Sequence, residues 1–319
     1  MFIEGKSISY TENTPIYIEF CSVMHCKPHY HASDLEIIYC FRGQADISSG
    51  FEKVTLDSGQ FFTVNCNEIH YIHSSADNLL MLININLKEV SANREFLSHL
   101  IFVLENLDDN TRNASRLDDI SEIMLAAALI YSRDSSDSSL SEVTEAITAI
   151  LCSSFSYIDY INEYRPVSAS VRDIYFRLSD YIDSNYNRKV SIADFAQSNY
   201  IDKTHLSYLI RSNIHETFSS SLNYARCINA EFLLLTTDKS NDEISRLCGF
   251  SDVKYFYKSF REWYGKTPAV HRKEFEIFVS EPEIKTVFSA ASMQSFIHEY
   301  FCEHNKNRVL SKCRDMLVV

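Results

Sequence analysis

The 319-residue chain has few of the residues that break or bend a backbone: six glycines and five prolines. That scarcity argues against long flexible linkers and against collagen-like or repeat-rich architectures, and no repeat of fixed period is present. The longest apolar run, LLMLINI at 79–85, is far too short for a bilayer, which needs about 20 residues, so no membrane partner is expected. The N-terminus, MFIEGKSISY, lacks a basic start followed by an apolar stretch and does not read as a signal peptide. None of the nine cysteines forms a C-x-x-C pair. Without a secretory signal they are expected as reduced thiols in a cytoplasm, not as a disulfide framework or zinc site. Nucleophile elbow, phosphate loop and dinucleotide fingerprint are all missing. Positive charge is also short: 30 Lys+Arg against 43 Asp+Glu give a net charge of −13.

What is present is enough apolar material, 45% of residues, for cores in two domains. The charge deficit is not spread evenly. Residues 1–170 carry 10 basic and 24 acidic side chains, whereas residues 171–275 carry 15 and 13. One segment is therefore electrostatically unlike the rest.

Residues 1–90 read as β. LEIIYCFRG (35–43) is rich in β-branched and aromatic residues, and Asp57-Ser58-Gly59 marks a turn between alternating stretches. Several short strands suggest a barrel or two-sheet sandwich. Residues 91–168 read as helical and acidic. REFLSHLIFVLENL places apolar residues at 96, 97, 100, 101, 103 and 104, near a period of 3.6. These helices have the length and apolar faces for a homodimer interface. Residues 169–275 read as short helices joined by tight turns, with Ser191 and Asp252 as N-caps. Residues 276–319 contain SMQSFIHEYFCEHNKNRVLSKC, an amphipathic helical extension read as an extra packing helix.

The stretch GFSDVKYFYKSFREWYGKTP (249–268) concentrates rings and cations. In a helix, Val253, Phe256, Phe260 and Trp263 share an apolar face, while Lys254, Tyr257, Lys258 and Arg261 share a basic one. Such a stripe on the second helix of a helix-turn-helix suits the DNA major groove, with cations on phosphates and polar tips on base edges. The same plan occurs earlier, where DKTHLSYLIR sets Lys203, Thr204, Ser207, Tyr208 and Arg211 on the corresponding face. Val253, which heads the apolar face, is counted with the DNA-facing set. A solvated amphipathic helix is the plainer reading of either stretch alone.

Residues 190–275 resemble the DNA-binding domain of the AraC/XylS family of bacterial transcription regulators. The matching residues include Ala196, HLSYLIR (205–211), Phe218, Arg226, Ala230, Leu233, Leu234, Ile244, CGFSDVKYF (248–256), Phe260, Gly265, Thr267, Pro268 and Arg272. The sequence departs at His215, where the family usually has glycine, and at His271, where it usually has tyrosine. The resemblance implies two recognition helices in successive major-groove segments about one helical turn (~34 Å) apart. Double-stranded DNA is then the partner, with RNA polymerase a further one.

His29-x-His31-x4-Glu36-x6-Gly43, with His70 beyond the turn, resembles the first cupin motif; the second is degraded, with Asn65 and Asn67 in place of proline and glycine. In metal cupins these residues bind a divalent ion, and a metal-dependent cupin enzyme with a helical appendage is the alternative reading. Regulators of the AraC type commonly carry a cupin-like sensor in which the same positions are structural or touch an organic effector. That context implies a small-molecule effector, such as a sugar or other polar metabolite, and no metal or cofactor. Its contacts are expected from Tyr17, His29, His31, Glu36, Tyr39, Phe62 and His70. The expected fold class is thus α+β and multidomain: a cupin-like β-barrel, a helical linker and dimerisation region, and an all-α domain with two helix-turn-helix units.

Overall fold

A computed structural model describes residues 2–11, 14–90, 95–107, 114–162 and 167–303. The N-terminal half is a nearly closed antiparallel barrel. Its strands are β1 (Glu4–Gly5), β2 (Ile16–Tyr30), β3 (Asp34–Arg42), β4 (Gln44–Ser49), β5 (Glu52–Asp57), β6 (Phe61–Val64), β7 (His70–His73) and β8 (Leu79–Asn86). The order across the sheet is β5-β4-β7-β2-β8-β3-β6. The 15-residue β2 serves both halves: Ile16–Cys21 pair with β8, and His25–His29 pair with β7. Alternation along each strand sends one set of side chains inward. Cys21, Val23, Ile38, Cys40, Ile47, Phe62, Val64, Leu80 and Leu82 pack together there. The opposite set, including Ile37, Tyr39, Phe41 and Ile83, packs against helices.

The expected helix across 96–104 does not form. Only Glu95–His99 makes a 3-10 turn. Beyond it Leu100, Phe102 and Leu104 are buried while Ile101 and Val103 are half-buried, a period of two rather than 3.6. The segment is held extended along β6 by side chains. Thr63 donates to the Leu104 carbonyl at 3.0 Å, and the Asn65 carboxamide receives the Phe102 N–H at 2.7 Å.

Helix α1 (Ala114–Arg133) is followed by α2 (Ser139–Ser154) and the short α3 (Tyr157–Ile161). From Ser121 to Ser132 α1 is almost entirely buried, and α2 buries Leu140, Val143, Ile147 and Leu151. The apolar faces expected to be spare for a partner are therefore used inside the chain.

The C-terminal half contains α4 (Ala169–Asp183), α5 (Ile192–Ser198), α6 (Lys203–Asn213), α7 (Phe218–Thr236), α8 (Asn241–Leu247), α9 (Val253–Tyr264) and α10 (Pro268–Ser280). The extension then turns back. Strand β9 (Ile284–Phe288) pairs with Phe20–Val23 of β2, and α11 (Ala290–Glu303) lies on α1. Tyr300 meets Tyr39 and Phe41 on the outer side of β3. The expected extra helix thus packs on the barrel, preceded by a strand; its expected continuation beyond 303 lies outside the described residues. At the other end, the Ile3 N–H donates to the Leu235 carbonyl of α7 at 3.0 Å. Phe51, from the β4–β5 turn, sits against Tyr224 and Trp263. The two halves share these contacts.

Candidate nucleic-acid interface and a buried histidine–glutamate cluster

Helices α5 and α6 form one helix-turn-helix unit, and α8 and α9 form a second. Both open on a capping box, Ser191 with Asp194 and Ser240 with Glu243. Asp202 and Asp252 then cap the second helices, accepting the N–H groups of His205 and Tyr255. Each such cap is worth about 1 kcal/mol. Leu206 and Ile210 anchor α6; Phe256, Phe260 and Tyr264 anchor α9. Arg226 and Arg272 brace the domain from within: Arg226 Nε donates to the Tyr186 carbonyl at 2.8 Å, and Arg272 Nε donates to that of Leu234 at 2.8 Å.

With the apolar side fixed, the opposite sides face solvent. On α6, Lys203, Thr204, Ser207, Tyr208 and Arg211 are all exposed. On α9, Lys254, Lys258 and Arg261 are exposed, and Lys258 Nζ lies 3.8 Å from Glu262 Oε1. Two members of the expected surface sit differently. Tyr257 is half-buried, and its hydroxyl accepts a hydrogen bond from Asn241 Nδ2 of α8 at 2.6 Å. Val253 is half-buried against the domain core. Tyr255, not singled out from sequence, is the exposed ring of α9. Its position between the two faces gave no clear signal.

At one end of the barrel, His29 of β2 stands directly opposite His70 of β7. Glu36 of β3 and His31, one residue past β2, complete the group. His70 Nε2 is 2.9 Å and His31 Nε2 3.6 Å from the Glu36 carboxylate. Asn84 of β8, missed from sequence, donates to Glu36 Oε1 at 3.2 Å. Burial works to raise the Glu36 carboxyl, but His31 and His70 hold it well below the usual carboxylate range. Burial, with His70 beside it, keeps the His29 imidazole well below its ordinary value. For His31 burial pulls downward and Glu36 more than offsets it, so its value is raised.

The other expected effector contacts divide. Tyr17 is level with Asn84 and hence with Glu36 across β2, β8 and β3. Phe62 belongs to the apolar filling of the barrel. Tyr39 lies on the opposite face of β3 from Glu36, its hydroxyl 3.2 Å from that of Tyr300, so it cannot line the same site.

Two family models match: an AraC-like ligand binding domain over residues 16–143 and a helix-turn-helix domain over 195–274. The chain belongs to the AraC family of transcriptional regulators. Both matched parts of this AraC-family chain are those of a regulator, not of an enzyme. It is 31% identical over 104 residues to the uncharacterized regulator YijO of Escherichia coli K12, covering 33% of this chain and 37% of that one. A second regulator from the same strain, YdiP, is 23% identical across 82% of this chain and 85% of its own. The match to YijO and to two further curated relatives spans less than half of their length. Among solved structures, ToxT of Vibrio cholerae, crystallised with an unsaturated fatty acid, covers 83% of this chain and 97% of its own at 15% identity and TM-score 0.44. Among the described residues no helix is long and apolar enough to cross a membrane.

Proposed function

We propose that the protein binds duplex DNA in a sequence-specific manner and regulates transcription, with α6 and α9 entering successive major-groove segments. The observation that carries this reading is the repetition of one arrangement. Two capped helix-turn-helix units each turn a cation-bearing helix face to solvent. In this reading Lys254, Lys258, Thr204, Ser207 and Tyr208 face base edges, and Arg211 and Arg261, with Lys203, hold phosphates. The net charge of −13 does not oppose it, because charges are screened over about 8 Å at physiological salt. Affinity is expected to fall steeply as salt rises.

A small ligand held by the N-terminal domain would set DNA affinity by favouring one arrangement of the two halves over another. Of the expected contacts, His29, His31, Glu36 and His70 would form this site; Tyr17 lies two strands from Glu36 with its ring against Tyr131 of α1. Homodimerisation, if it accompanies DNA binding, would use the outer face of α2, where Glu142, Glu145 and Ala149 are exposed. RNA polymerase belongs to the same proposal as the partner through which regulation is exerted. The test is to sequence genomic fragments retained by the purified protein and by an Arg211→Ala/Arg261→Ala double variant. Enrichment of defined sites by the parent and loss in the folded variant is expected. Equal retention by both would remove α6 and α9 as the DNA-reading elements.

A further inference from the structure

The barrel cluster is built in a way that ion pairing alone does not explain. Each imidazole is held through Nδ1 by a backbone carbonyl: His29 by Lys27 at 2.8 Å, His31 by Lys6 at 3.0 Å and His70 by Glu68 at 3.1 Å. A carbonyl oxygen only accepts, so each Nδ1 carries the proton. In the neutral ring Nε2 is then a bare lone pair. His31 Nε2, His70 Nε2 and Glu36 Oε2 are buried without an aligned hydrogen bond. His70 Nε2 and Glu36 Oε2 are 2.9 Å apart, yet off the line of an N–H···O bond. Ligand atoms from all four residues lie within 4.8 Å of one another.

Acceptors turned toward one another in a buried space are costly unless a proton or a metal cation sits among them, and one proton on His31 serves a single pair where a metal ion would serve all four groups. We propose that His29, His31, Glu36 and His70 bind a single divalent transition-metal ion, and that this ion is the small ligand to which the N-terminal domain responds. The second half rests on the regulator reading above; the site itself does not. Three imidazoles and one carboxylate suit manganese, iron, cobalt, nickel or zinc, whereas calcium and magnesium prefer oxygen donors throughout. The supporting shell is in place. Three backbone carbonyls orient the rings, and Asn84 holds Glu36 Oε1 so that Oε2 is left to the cluster. Two ligands are cross-strand neighbours and a third lies on β3, which is paired on both sides, and this fixes their positions more tightly than loops would. A sugar-sized ring needs room beside the cluster, but the adjoining barrel interior is filled by Phe62, Val64, Ile38 and Leu82. The site also touches the DNA-binding half. The Lys6 carbonyl that holds His31 belongs to the arm whose Ile3 N–H is bonded to Leu235 of α7.

The experiment uses the full chain, stripped with a chelator and titrated with Co2+ at pH 7.5, followed by visible absorption and by metal content after desalting. One Co2+ per chain, displaced by Zn2+, is expected. Glu36→Gln keeps the shape and the Asn84 contact and should weaken Co2+ binding by at least about 100-fold; Asn84→Ala should weaken it by about 10–100-fold. Thermal melts of each variant without metal establish that the fold is retained. Failure of the unsubstituted protein to bind Co2+, Ni2+ or Zn2+ stoichiometrically overturns the site, whatever the variants do. Unchanged binding by folded Glu36→Gln does the same. Retained genomic fragments are then compared with and without bound Zn2+. A protein that binds the ion and retains DNA equally in both states keeps the site and loses the ligand role. A protein that binds the ion but retains no DNA at all tells against the regulator reading instead.

Discussion

Tyr200 and Gly249 stand at the same point of the two helix-turn-helix turns, and both are left-handed, with φ of 56° and 74°. The turns match bond for bond. The Ile201 N–H reaches the Ala196 carbonyl at 2.9 Å, and the Phe250 N–H reaches that of Ser245 at 3.0 Å. Only the second turn carries the residue suited to this conformation. The Tyr200 side chain is 99% exposed, so its removal loses no packing. Tyr200→Gly should therefore stabilise the protein by about 1 kcal/mol. A Cβ at Gly249 would lie 2.6 Å from the Tyr186 carbonyl oxygen and 2.7 Å from the Asn187 carbonyl carbon. Gly249→Ala should cost about 2–5 kcal/mol through strain and overpacking together. Urea midpoints of the two variants check both signs.

On α9 the cations and the half-buried tyrosine should separate in DNA binding. Lys258→Ala should cost about 1–3 kcal/mol on the preferred site and relax selectivity at one base pair. Arg261→Ala should weaken all sequences alike and reduce the salt slope by about 1. Tyr257→Phe removes the bond to Asn241 and should lower the melting temperature while leaving sequence preference unchanged. Competition binding at several salt concentrations distinguishes the three.

His99 and Asp183 join the turn before the extended linker to α4, with His99 Nδ1 and Asp183 Oδ2 2.5 Å apart. Asp183 raises the His99 imidazole above its ordinary 6.5, against a smaller opposing effect of burial. A group raised on folding stabilises most when protonated. Its contribution is complete below about pH 6.5 and is lost as pH rises through the folded value. The stability difference between the parent and His99→Gln should therefore shrink on going from pH 6 to pH 8.5. A difference that holds constant across that range would show that the pair does not titrate.

Lys285 of β9 is paired with Glu19 of β2, and both side chains are largely buried, at 6% and 16% exposure. Burial opposes the Lys285 charge, but neighbouring Cys21 and Glu19 hold its ammonium above the ordinary lysine range. Lys285→Ala leaves Glu19 without its partner. The expected cost is about 3–5 kcal/mol, the usual penalty for breaking a buried pair from one side. The Lys285→Met/Glu19→Leu double variant should recover most of it.

Legibility from sequence followed the range of the signals. The caps at Ser191 and Asp252 and the turn at Gly249 act over three or four residues, and the C-terminal helices accordingly lie where the pattern placed them. His215 is explained by the same local logic. It sits just past the end of α6 at φ 57°, which suits the glycine usual there. His271 is buried against Glu231 at 2.7 Å, a contact 40 residues distant that sequence spacing cannot show. Leu100, Ile101, Val103 and Leu104 misled because a short apolar run fits both periods, and β6 decided between them. Asn84 had no local signal beyond being polar within an apolar strand. The side of β3 taken by Tyr39 follows from Glu36 by alternation, once Glu36 is known to face inward. The return of IKTVF to β2 depends on a partner more than 260 residues earlier.

That return changes the mechanics of the molecule. The helices that carry α6 and α9 leave the barrel side after α3 and rejoin it at β9, so they form a domain inserted within the other's chain. A body fastened by its chain at two places, and touched by Ile3 and Phe51 as well, cannot drift away on a linker; a change in its position is confined to a small rotation. Whatever occupies the barrel would then communicate with DNA as a change in the angle between the two recognition helices and the groove, with little change in distance. Cutting the chain between Ser280 and Ile284 would release one attachment and convert that constrained pivot into a free swing, leaving every residue of both helix-turn-helix units in place.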